Sequence, residues 1–174
     1  MAFKRITDRV IVGLGLGVLA AFPALAAEWD LKVSDKLAIA SIEGNITVGE
    51  RQRFVFFKKA CESVNHVFST YTTQPADFNK IEGKVLVIKF NGEKIGAKLL
   101  RAKKAMAGHL LMFDLGTYKR EGLLSHLKKH EKISIEFVDG NGIKASNYFD
   151  VPQNEWSTSG ITKAFENAYQ ACSQ

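Results

Sequence analysis

The stretch that decides the fold is KVLVIKF at 84–90, followed by Asn91-Gly92 and then EKIGAKLL at 93–100. Both sides of the Asn-Gly pair are strand-like runs, apolar at 85–88 before it and at 95, 97, 99 and 100 after it. Asn-Gly suits a two-residue type I′ turn, which needs positive φ at both central positions. The segment predicts a β-hairpin. Downstream, 109–115 is a further apolar run bounded by Gly108 and Gly116, and 121–129 reads as a short helix with Leu123, Leu124 and Leu127 on one face. Residues 133–138, the turn Asp139-Gly140-Asn141-Gly142 and residues 143–151 read as a second hairpin. Upstream, Trp29, Leu31 and Val33 alternate, 37–42 is apolar, and 64–72 is rich in Val, Thr, Phe and Tyr, the composition of a strand. Residues 53–58 fit either a strand or a helical turn, and Gln74-Pro75-Ala76-Asp77 is a loop.

The chain closes with Ile161, Ala164, Phe165, Ala168 and Cys172 on one helical stripe, with Ser157 or Ser159 available as N-cap. Seven or eight short strands and two modest helices predict a mainly β fold. The form is antiparallel, a β-sandwich or an open barrel, with a short Leu-rich helix and a C-terminal amphipathic helix. Helices do not alternate with strands, which argues against parallel α/β.

At the other end, Lys4, Arg5 and Arg9 precede an uncharged apolar run at 10–22 and an A-x-A site at Ala24 and Ala26. These are the three parts of a signal peptide, expected to be cleaved after Ala26. The apolar run is short of the roughly 20 residues a spanning helix needs, and no later stretch reaches that length. Residues 27–174 are expected to form one domain, which a chain of this size can fill with a real core. The net charge of +6 falls to +4 when the leader is removed, a mild surplus compatible with an acidic partner or with solubility alone.

Both cysteines, Cys61 and Cys172, lie in the mature part and would meet an oxidising compartment, where a lone pair tends to join. Their wide separation favours a structural staple over a redox-active C-x-x-C pair.

The Trp29 that follows the cleavage site, the runs KVLVIKF and HLLMFDLG, the Leu-rich helix, the hairpin, and a closing FDV before SGITKAFENAYQAC together resemble small periplasmic β-sandwich proteins of the invasion-associated locus B type. The likeness is one of layout over most of the mature chain. It implies a sandwich and a periplasmic or secreted protein. The chain departs from that pattern in lacking additional cysteines in its middle.

Residues that could carry chemistry are few. His126 and His130 are spaced i, i+4 on the Leu-rich helix, a spacing that can share a metal ion. The Glu of H-E-x-x-H is missing, and Lys128, Lys129 and Lys132 crowd the position, so a solvated helix edge is the plainer reading. His66 and His109 sit in strand-like runs without ligand partners at suitable spacing. No G-x-S-x-G elbow or phosphate-cradling loop occurs, Ser159-Gly160 is better explained by capping, and Cys61 is expected to be oxidised. No cofactor is implied. The notable charge cluster is Lys94, Lys98, Arg101, Lys103 and Lys104, to which Lys119, Arg120, Lys128, Lys129 and Lys132 add if the fold brings them near. It suits an anionic envelope component or an acidic protein, or else keeps a hairpin arm soluble. Nucleic acid is disfavoured, since aromatics do not interleave with the run. These readings add up to an exported, non-enzymatic binding protein of the periplasm or the secreted fraction. The alternatives are an envelope hydrolase or metal-dependent enzyme built on the histidines, and an inhibitor or immunity protein.

Overall fold

A computed structural model describes residues 28–46 and 49–174; the expected leader, 1–26, lies outside them. The described residues build one antiparallel sheet of nine strands: β1 Asp30–Val33, β2 Leu37–Glu43, β3 Arg51–Phe57, β4 Ser63–Thr72, β5 Val85–Phe90, β6 Glu93–Ala105, β7 Gly108–Lys119, β8 Lys132–Phe137 and β9 Gln153–Ser157. Their spatial order is β1-β2-β3-β4-β7-β6-β5-β8-β9. Helix α1, Arg120–Leu127, links β7 to β8, and α2, Ile161–Ser173, follows β9. The chain is thus mainly antiparallel β, in the open, curled form of the two that the pattern allowed. No helix among the described residues is long and apolar enough to cross a membrane.

Two bulges accompany the curl. Between β4 and β7, His66 faces Gly116 and Val67 faces Asp114, leaving Leu115 as an extra residue. Between β6 and β7, Leu100 is extra in the same way. Such insertions bend a strand and raise its twist. Gly116 adopts φ +103 at the first of them, a conformation that costs glycine little.

Alternation then fills the concave face. Phe54, Phe56, Phe68, Leu99, Leu111, Phe113, Ile88 and Trp156 are all buried there. Phe165 of α2 lies 4.8 Å from Phe54 and 5.6 Å from Phe56, centroid to centroid, closing the sheet near its β1–β3 end. The buried residues of α2 are Ile161, Ala164, Phe165, Ala168 and Cys172, the stripe read from the sequence. The disulfide is formed: Cys61, just after β3, joins Cys172 across a sequence separation of 111, with the Cα atoms 5.8 Å apart.

Several local expectations are corrected. The hairpin at 84–100 stands, with positive φ at Asn91 and Gly92. The second hairpin does not: the turn at Asn141-Gly142 forms, but residues 143–151 do not pair as a strand along β8. Ala145 N donates to Asp139 Oδ1, Ala145–Asn147 winds into a 3₁₀ turn, and Phe149 stacks on Phe137 at 3.7 Å. The partners of β8 are β5 and β9. Of residues 53–58, those up to Phe57 resolve as part of strand β3, since Phe54 and Phe56 point inward together. At β1 the alternation buries nothing. Leu31 and Val33 are exposed on this edge strand, while Trp29 packs on Phe54 and donates to Ser159 O. Neither Ser157 nor Ser159 caps α2. Gly160 occupies the cap at φ +77 without a side-chain bond, and Ser157 Oγ accepts from Ser159 N instead.

Candidate functional site

Of the five cations in the basic run, register places four on one face. Along β6, Ala97 and Leu99 point into the core, so Lys94 and Lys98 point outward. The bulge at Leu100 resets the alternation: Arg101 faces Met112 and Lys103 faces Leu110, on the same outer side, while Lys104 pairs with His109 on the other. All five are exposed, and none forms an ion pair among the described residues. Exposed Val85, which pairs with Lys98, and Leu100 give this surface apolar ground between the charges. Arg120 and Lys132 are already engaged, Arg120 by Glu62 and Glu121 and by the Tyr169 ring 4.0 Å away, and Lys132 by Glu155 at 2.9 Å. Lys128 and Lys129, in the turn just after α1, line a shallow groove with Glu121.

The four histidines divide. His109 lies against Phe78, with its buried Nδ1 lacking a protein partner among the described residues. The helix expected over 121–129 ends at Leu127, so His126 stands on α1 while His130 lies beyond its end, the two rings 5.6 Å apart. Among the described residues, no third His, Cys, Asp or Glu joins them in a metal-holding group. His66 is the informative one. It is 1% exposed, stacked on Phe54 at 4.6 Å and edge-on to Phe90 at 5.6 Å. Burial pushes its pKa down to about 3, because the apolar surroundings penalise the charged ring. It is therefore neutral near pH 7 and a poor general base there. Its Nε2 lies 2.7 Å from Oε1 of Gln52, itself fully buried.

His66 also lines a pocket of about 200 Å³ between the sheet and α1, whose other walls are Phe90, Ile95, Leu115, Leu123 and Gly122, with Glu93, Tyr118 and His126. Glu93 is exposed at this pocket, and the Tyr118 hydroxyl already donates to Leu115 O at 2.6 Å. The Tyr118 phenol is held above its usual range by burial and by the Asp114 carboxylate. A larger groove of about 460 Å³ opens near Trp156, Asn45 and Ser159, but two of its charged walls, Lys132 and Glu155, neutralise one another.

The sequence placed His66 in a strand without a ligand partner and held no sign of the pocket it lines. The overlooked signal was a polar residue on the apolar phase of a strand: Gln52 shares a face with Phe54 and Phe56, and His66 with Val64 and Phe68. The oxidised Cys61 cannot serve as a nucleophile. No protein-family model, curated protein or solved structure matches this chain.

Proposed function

We propose that the chain is exported to the periplasm or beyond, and that after cleavage it acts as a non-enzymatic binding protein. Its outer face, at β6, docks an anionic component of the cell envelope. The sequence layout resembles that of proteins of the invasion-associated locus B type, which is in keeping with export. The basic, apolar and A-x-A segments of residues 1–26 support export, and a joined cysteine pair fits an oxidising compartment. The observation that carries the docking reading is the alignment of Lys94, Lys98, Arg101 and Lys103, exposed and without ion pairs among the described residues. Four aligned cations attract an anionic surface through fields that salt screens over roughly 8 Å at physiological strength.

The test is to express the full chain, sequence the N-terminus of the periplasmic form, and measure its retention on anionic against neutral vesicles. The expected start is Ala27. Binding to anionic vesicles should weaken with salt, and should be lost in the folded triple variant Lys98→Glu, Arg101→Glu, Lys103→Glu. Lys104→Glu, on the opposite side of β6, should retain most of it. Equal retention of wild type and triple variant would overturn the docking reading. An unprocessed chain would overturn export, and binding only to a protein fraction would replace the envelope surface by an acidic protein.

A further inference from the structure

We propose that the pocket under α1 binds a small, uncharged, mainly apolar molecule of single-ring size, held by one hydrogen bond to His66. This goes beyond the docking role and does not depend on it. Apolar cavities of about 150 Å³ accept benzene, so about 200 Å³ holds one ring with a short substituent or a fused pair of rings. Phe90, Ile95, Leu115 and Leu123 supply the apolar walls.

The polar group at this site is defined by its own bonding. Gln52 Oε1 accepts from the His66 Nε2–H, which leaves Nδ1 of the neutral ring as an acceptor; it makes no hydrogen bond among the described residues. A ligand N–H or O–H would satisfy it. A charged group is disfavoured, because burying an ion against these walls costs far more than burying a hydrogen-bonded neutral group. An anion is disfavoured a second time, because Glu93, exposed at the same pocket, repels it.

Gly122 supplies an independent observation. It lies within α1, where glycine costs about 1 kcal/mol relative to alanine. Its φ is not positive, and a Cβ placed there would meet nothing within 4 Å. Neither backbone conformation nor packing calls for glycine at this position. Gly122 forms part of the pocket wall, and a larger side chain there would have open space to extend beside the pocket. The bulge at Leu115, opposite His66, also lies on this wall, and bulges re-aim side chains next to sites.

The probes are indole, which carries one N–H donor, and benzoate, an anion of similar size, each titrated into the disulfide-bonded chain and followed by amide NMR. Indole should shift the amides of Phe90, Leu115, Gly122 and Leu123 saturably, while benzoate gives no saturable shifts there. Indole should also raise the melting temperature of the wild-type chain, a readout that needs no variant. Gly122→Leu should weaken indole binding at least tenfold while leaving the melting temperature unchanged or higher. Absence of saturable indole shifts, benzoate binding as tight as indole, or unaltered affinity in folded Gly122→Leu would each overturn the proposal.

Discussion

His66 makes a quantitative prediction about acid stability. In the unfolded chain it titrates with an ordinary pKa of about 6.5, whereas in the fold burial lowers it to about 3. Below pH 6.5 the unfolded state binds a proton that the folded state refuses. The contribution to stability is therefore intact above about pH 6.5 and is lost progressively as pH falls toward 3. Each pH unit in that window costs about 1.36 kcal/mol per proton, so a change from pH 7.5 to 5 removes about 2 kcal/mol through His66. His66→Gln keeps a side chain able to hydrogen-bond Gln52 but cannot take up the proton. Urea unfolding of wild type and variant across pH 5 to 7.5 isolates the effect, because the other histidines and the carboxylates are common to both. The wild-type curve should fall more steeply, by about 2 kcal/mol over the range. Parallel curves, or an imidazole resonance of His66 that titrates near 6.5 in the folded protein, would refute the claim that this ring is buried neutral.

Two further outcomes are expected. Reduction, or Cys172→Ser, frees a loop of 111 residues; it should cost about 4 to 5 kcal/mol in the chain-entropy account and make α2 protease-sensitive first, as limited proteolysis would show. Phe165→Ala, at a fully buried position between Phe54 and Phe56, should destabilise by about 3 to 5 kcal/mol, whereas Leu124→Ala, only partly buried beside Leu123 and Leu127, should cost less than about 2; denaturant midpoints decide it.

The sequence was most legible where a local rule acts alone. Asn91-Gly92 and the stripe of α2 follow from turn chemistry and helical period, and both stand in the structure. It was least legible where tertiary contacts overrule local pattern. Residues 143–151 look like a strand, but both edges of β8 are taken, by β5 and by β9, and Phe149 stacks on Phe137 instead. Trp29 claims the carbonyl of Ser159, and a glycine in the left-handed region begins α2 in place of a serine cap. The basic run was visible as composition, but a bulge at Leu100 decides which of its members share a face, and no periodicity announces a bulge. The pocket was hidden for a related reason, since its walls come from β4, β5, β6, β7 and α1 and meet only after the sheet has curled.

The strand order also bears on how the chain finds this shape. β1 to β4, β5 to β7, and β8 with β9 are three meanders whose neighbours in space are neighbours in sequence, and two seams, β4 with β7 and β5 with β8, join them. Each meander closes only short loops, which is fast, whereas a seam must wait for distant segments to meet. Until the first seam zips, β4 is a free edge rich in Val, Phe and Thr, the kind that pairs with the wrong neighbour. A slip of one residue there would turn Phe68 and Phe113 out of the core, and the outward bond from Asn65 Nδ2 to Asp114 Oδ1, 2.9 Å long, would be broken. The seam is thus checked on both faces of the sheet, and the wall carrying His66 and Leu115 is completed only when that check has been passed.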